Sequence, residues 1–180
     1  MAMNTTLTEP DRTLRKESRT MKPNIGIAEM SREAVAGILN TLLSDEYVLY
    51  TKTRNFHWNV MGPHFHDLHK LFEAQYEELD GTIDEIAERA RAVGGVASGS
   101  LAEFLRQTRL AEQSPGELDA KAMAANLLDD HEAIIRSLRE DLKTCEKHHD
   151  AGTADFLTGL MEKHEKTAWM LRATVAEKLG

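Results

Sequence analysis

The chain has 180 residues, which suits one domain with a sizeable core and makes no demand for a second. Hydrophobic residues make up 41% and charged residues 29%, and the net charge of −8 makes the chain as a whole a poor partner for nucleic acid. The single cysteine, Cys145, excludes an intrachain disulfide and points to a reduced, cytoplasmic setting. No apolar run at the start reads as a signal peptide, and none elsewhere is long enough to span a membrane.

Residues 1–30 stand apart from the rest. They are rich in Thr, contain Pro10 and Pro23, lack apolar periodicity, and read as a flexible N-terminal tail. Between Asp11 and Lys22, five basic residues (Arg12, Arg15, Lys16, Arg19, Lys22) face two acidic ones, a local net charge of +3. Residues 31–180 then carry four long helical patterns. The first runs from Ser31, a plausible cap, to Trp58, with Val35, Ile38, Leu39, Leu42, Leu49 and Phe56 at helical spacing. Gly62-Pro63 ends it. The second runs from His64 to Val93 and stops at Gly94-Gly95. A loop holding a short helical piece, SLAEFLRQTRL, follows. The third begins at SPGE, where Ser114 caps, Pro115 suits the first helical position and Glu117 completes a capping box, and it reaches His148. The fourth runs from Thr153 to Lys178. With no strand signals, this is an all-α four-helix bundle. Its one long connection, Gly94 to Ser114, lies between the second and third helices, which is ferritin-like connectivity.

The second helix carries the chemistry. At about 100° per residue, His69, Glu73, Asp84 and Glu88 share a sector with Glu77 and Asp80, while Leu68, Phe72, Leu79 and Ile86 lie elsewhere. A row of carboxylates is most simply a solvated face, but the spacing argues for more. His69 with Glu73, and Asp84 with Glu88, are neighbours one turn apart, so each pair can touch one ion. His57, at the end of the first helix, can reach the His69 end across the turn. The two clusters are too far apart to meet in one chain, since Glu73 and Asp84 are roughly 16 Å apart along a helix. They can meet between two antiparallel copies related by a two-fold axis near Glu78 and Leu79. Imidazole and carboxylate without thiolate suits iron, and equally manganese or zinc.

The stretches HWNVMGPHFHDLHKLFE (57–73) and IDEIAERARAVGGVA (83–97) resemble the two signatures of the Dps-type mini-ferritins, and the four-helix pattern extends the likeness over about residues 31–178. The resemblance implies a homododecameric shell with di-iron ferroxidase sites at its two-fold interfaces. There, Fe(II) is oxidised, preferably by hydrogen peroxide, and stored as ferric mineral. His57, His69 and Glu73 correspond to ligands from one chain, and Asp84 and Glu88 to ligands from its neighbour. Glu73 stands where many relatives have Asp, one methylene shorter. The resemblance also makes Trp58 an aromatic beside the iron that absorbs stray oxidising equivalents, where the plainer reading is a core aromatic. It places Asp150 and Asp155 near iron-entry pores, although an Asp at a helix start has a structural reason to be there.

His64 and His66 read as surface residues flanking the turn, and Asn59 as structural. Glu146-x-x-His149 is the one such motif in the chain, whereas a di-iron site inside a bundle wants two, so it reads as surface. Met161, Trp169, Met170 and Leu171 read as core or interface. Two functions stay in view. One is a ferroxidase and iron store. The other is a nucleoid protein that protects DNA, with a slow metal site and with non-specific DNA contacts through the basic tail.

Overall fold

The computed structural model describes residues 22–112 and 118–176, all helix, turn and loop. Five helices follow in order: α1 (Glu29–Asn59), α2 (Phe65–Ala92), α3 (Leu101–Gln107), α4 (Ala120–Lys147) and α5 (Ala151–Val175). The short links make α1 with α2, and α4 with α5, two antiparallel hairpins, and α1 also packs on α3 and α4. The expected ferritin-like four-helix bundle with a short helix in its crossover is therefore the architecture found.

The core sits where the helical stripes meet. Leu39, Leu42, Leu49 and Phe56 of α1, Phe72 and Ile86 of α2, Leu127 and Leu138 of α4, and Leu157 and Leu171 of α5 are buried. Each such side chain contributes roughly 1.5–3 kcal/mol of burial free energy. Burying that stripe of α2 leaves Glu77, Asp80, Asp84 and Glu88 exposed.

The breakers act where the spacing put them. Gly62 has φ +110°, and its carbonyl accepts from Phe65 N, the first residue of α2. Gly94 has φ +94°, and a Cβ there would lie 2.6 Å from Arg32 Nη1 and 2.8 Å from Pro23 Cγ. Arg32 is buried at this corner and donates to the Val93 carbonyl. Any larger residue at Gly94 would therefore strain the backbone and displace that contact.

Several helix starts differ from the sequence expectation. The helix α1 begins at Glu29, two residues before Ser31, whose hydroxyl instead bonds His148 Nδ1 at 3.0 Å. The expected cap at Ser114 and box at Glu117 lie outside the described residues, and α4 begins at Ala120, capped by Asp119 through Ala122 N. A capping box does occur on α3, between Ser100 and Glu103. The helix α5 begins at Ala151 rather than Thr153, because Asp150 is its cap.

The crossover is pinned to α1 by polar side chains. Asn40 accepts from Ser98 N and donates to the Val96 carbonyl. Asp45, 1% exposed, accepts from Thr108 Oγ1, Arg109 N and Arg109 Nε, and Arg109 also reaches Asp141. A buried carboxylate with three donors is satisfied and fixes the chain that supplies them.

Candidate metal centre

The Gly62-Pro63 turn brings the last turn of α1 against the first turns of α2, which sets His57 beside His69. The two residues bond reciprocally. His57 Nδ1 donates to the His69 carbonyl at 2.9 Å, and His69 Nδ1 donates to the His57 carbonyl at 2.9 Å. Their rings stack with centroids 3.8 Å apart. A carbonyl can only accept, so each Nδ1 carries the hydrogen, and Nε2 is the nitrogen of each ring left to offer a lone pair to a metal. Metal-binding histidines are commonly oriented in this way by the nitrogen that does not bind.

Glu73 lies one turn beyond His69 and is half-buried. Its carboxylate accepts from Lys70 Nζ at 2.6 Å. That hydrogen bond, with the charge of Lys70 behind it, holds the Glu73 carboxyl below the usual range, against an opposing effect of burial. Asp84 and Glu88 are exposed toward the other end of the same helix. Within one chain, no three His, Cys, Asp or Glu side chains among the described residues form a group able to hold a metal ion. The donor types at the His57 end, two imidazole nitrogens and a carboxylate, fit Fe(II) and also manganese or zinc.

The remaining candidates fall into place individually. Trp58 is 65% exposed, so within the chain it is not a core aromatic, and the Arg54 guanidinium lies 5.2 Å from its ring. Asp150 is buried, and its carboxylate accepts from Arg89 Nη2, Thr153 N and Thr153 Oγ1, which gives it a structural task at the α4–α5 corner. Asp155 is exposed one turn on. Glu146 and His149 are on the surface, with His149 in the left-handed region at φ +58°. His64 and His66 are exposed. Burial pushes the Cys145 thiol up to about 11, which leaves it a poor nucleophile. Leu171 is core, whereas Trp169 is 62% exposed. Arg12, Arg15, Lys16 and Arg19 lie outside the described residues, and Lys22 pairs with Glu29 at 2.7 Å.

A second polar cluster escaped the sequence reading. In the bundle core, His164 Nε2 contacts Glu46 Oε1 at 2.9 Å, and His164 Nδ1 contacts His131 Nδ1 at 2.8 Å. All three residues are at most 3% exposed and come from α1, α4 and α5. Gln75 of α2 is buried nearby, beside a cavity of about 20 Å³ that His131 and His164 also line. Among the described residues, Glu46 Oε2, His131 Nε2 and both Gln75 amide atoms have no hydrogen-bond partner. The sequence holds one signal for this cluster, a run of Ser44, Asp45 and Glu46 across an apolar stripe.

Comparison with known proteins agrees with this architecture. Residues 36–178 match the ferritin-like domain. The chain is 47% identical over 153 residues to an uncharacterised low temperature-induced protein of Nostoc sp., covering 84% of this chain and 86% of that one. It is 40% identical over 139 residues to the DNA protection during starvation protein 2 of Bacillus anthracis, covering 77% and 94%. A solved structure of a Dps protein from Vibrio cholerae O1, described as a member of a broad superfamily of ferritin-like diiron-carboxylate proteins, superposes with a TM-score of 0.82 at 29% identity, covering 86% of this chain and 97% of that one. The chain therefore belongs to the ferritin-like family and, within it, to the Dps-type mini-ferritins.

Proposed function

We propose that the chain is an iron-storing ferroxidase subunit. It oxidises Fe(II) with hydrogen peroxide at two-iron sites shared between copies and keeps the ferric product inside a shell of twelve, protecting DNA from oxidative damage. The carrying observation is the reciprocal His57–His69 pair, which leaves two Nε2 lone pairs beside Glu73. Asp84 and Glu88, exposed on the same helix, supply the other half from a second copy across a two-fold axis.

Fe(II) and peroxide are the substrates. Peroxide accepts two electrons and each Fe(II) gives one, so 2 Fe²⁺ + H₂O₂ + 2 H⁺ → 2 Fe³⁺ + 2 H₂O closes without hydroxyl radical. His57 and His69 bind through Nε2, with each ring held by its Nδ1 bond. Glu73 exchanges the Lys70 ammonium for iron. Zinc or manganese can occupy the same donors. Asp155, exposed near the start of α5, suits an acidic entry route, while Asp150 holds the corner. The chain works in the cytoplasm, with nucleoid association through Arg12, Arg15, Lys16, Arg19 and Lys22 of the tail.

Complementation tests the shared site. His69→Ala and Asp84→Ala chains are each expected to oxidise anaerobically loaded Fe(II) slowly on peroxide addition. Refolded together, they regain about a quarter of the sites, because some interfaces then take His69 from one chain and Asp84 from the other. A mixture as slow as its parents sinks the shared site. Single variants as fast as the wild type sink the ligand assignment.

A further inference from the structure

The buried cluster of Glu46, His131 and His164 is not part of the candidate metal centre, yet it ties the two hairpins together. Glu46 comes from α1, His131 from α4 and His164 from α5. The His164 ring is held from both sides, by the Glu46 carboxylate at 2.9 Å and by His131 Nδ1 at 2.8 Å. Two ring nitrogens at that distance need one hydrogen between them. None would set lone pair against lone pair, and two would set N–H against N–H. The contact therefore holds for one proton count of the pair and fails for another.

A further proton has no good place on His131. On Nδ1 it meets the hydrogen already there. On Nε2, which has no partner among the described residues, it makes an imidazolium in a dry core. Burial, with the neighbouring His164 adding to it, accordingly holds the His131 pKa well below the ordinary value. The charged groups facing the pair do not relieve it. Glu46 of α1 is tied to His164, and Asp130, beside His131 on α4, is paired with Lys52 of α1 at 2.6 Å. Lys163 of α5 carries the wrong sign and lies 3.6 Å from Glu85. Relief lies outward. A cavity of about 20 Å³, room for one water, adjoins both imidazoles. Buried Gln75, Thr82 and Thr167 line it, and so do Glu78 of α2 and Lys163, both exposed.

We propose that the Glu46–His164–His131 chain is a proton-operated latch between the hairpins. A proton taken up by His131 breaks the Nδ1–Nδ1 contact, and the α4–α5 hairpin opens locally to water at the cavity beside Gln75 while the ends of the bundle stay folded. In the open state His131 meets water and Glu78, so it titrates near the ordinary histidine value, about 6.5. Above that pH the latch is shut. Below it, the open population grows about tenfold per pH unit for one proton. The latch does not rest on the ferroxidase reading, and iron-free protein shows it.

The test is native-state hydrogen exchange, read by mass spectrometry on the full-length, iron-free protein from neutral to mildly acid pH, with each rate corrected for its chemical pH dependence. Protection in peptides over 127–135 and 160–168 is expected to fall about tenfold per pH unit below about pH 6.5, while the His57–His69 turn keeps its protection. His131→Asn keeps a polar atom near the Nδ1 position but takes up no proton, so it is expected to fold and to lose the acid response. His131→Leu is the second variant, with the same expectation. Cys145, buried elsewhere on α4, separates local opening from unfolding. Probed with 4,4′-dithiodipyridine, which reports thiols in acid, it should stay unreacted while 127–135 exchanges. Protection that ignores pH, or an acid response that survives in both variants, overturns the latch. So does a Cys145 that becomes reactive in step with the exchange, because the bundle then unfolds as a whole.

Discussion

The chain contains two histidine pairs, and they do opposite things. His57 and His69 join α1 to α2, give their Nδ1 hydrogens to backbone carbonyls, and keep two Nε2 lone pairs for an outside partner. His131 and His164 join α4 to α5, spend their Nδ1 atoms on each other, and tie the remaining His164 nitrogen to Glu46. Proximity of imidazoles therefore does not make a metal site. What decides is which nitrogen is left over and whether solvent can reach it. The first pair leaves Nε2 of both rings free of backbone contacts, whereas the second spends three of its four ring nitrogens on buried contacts and leaves His131 Nε2 shut away from solvent without a partner among the described residues.

The largest way to break this contrast is to remove His164. Glu46 is fully buried, and the described residues offer its carboxylate no other hydrogen-bond partner. His164→Ala is expected to destabilise the fold by about 3–5 kcal/mol, the usual penalty for stranding one member of a buried pair. His69→Ala, at a partly exposed turn, is expected to cost about 1 kcal/mol and to act on iron oxidation instead. Urea unfolding at fixed protein concentration separates the two. Equal losses from both variants would erase the distinction.

The second test uses protons. Burial, with the neighbouring His164 adding to it, holds the His131 pKa well below the ordinary histidine value. The folded chain thus resists a proton that the unfolded chain accepts. Stability from this source is complete above about pH 6.5 and is lost as pH falls below it, at about 1.4 kcal/mol per pH unit for one proton. Unfolding midpoints between pH 7 and 5 should show that slope, and His131→Leu should flatten it. An unchanged slope in the variant assigns the acid sensitivity elsewhere.

The two pairs also differ in how far the sequence disclosed them. His57 and His69 flank a Gly-Pro turn twelve residues apart, and Glu73 stands at helical spacing, so short-range geometry alone brings them together. His131 and His164 are 33 residues apart on apolar faces of separate helices, and their partner Glu46 lies 118 residues from His164. Nothing local links such positions, and each taken singly is an ordinary histidine. The helix boundaries divide on the same principle. Gly62 and Gly94 impose backbone conformations and were legible. The capping pattern at Ser114 to Glu117 placed the start of the third helix there, whereas α4 begins at Ala120 with Asp119 as its cap. Likewise Ser31 was spent on a contact with His148 that spans most of the chain.

The smallest expected effect sharpens the role of the first pair. Lys70 Nζ sits on Glu73, the carboxylate that His57 and His69 need beside them if iron is to be held. Metal must displace it, so the ion pair competes with binding. The Lys70 side chain is 61% exposed, so water and salt already weaken the contact. Lys70→Gln is expected to tighten Fe(II) binding by about two- to fivefold at low salt, the range an exposed pair can supply, and to leave the unfolding midpoint unchanged. The gain should shrink as salt is added, because the wild-type pair is then screened already. Anaerobic Fe(II) titrations at two ionic strengths measure this. Tighter binding that ignores salt would mean that Lys70 acts through something other than its charge. No tightening at either strength would mean that Glu73 is not the carboxylate iron uses, and the ligand set would then rest on the two histidines and a second copy's Asp84 and Glu88.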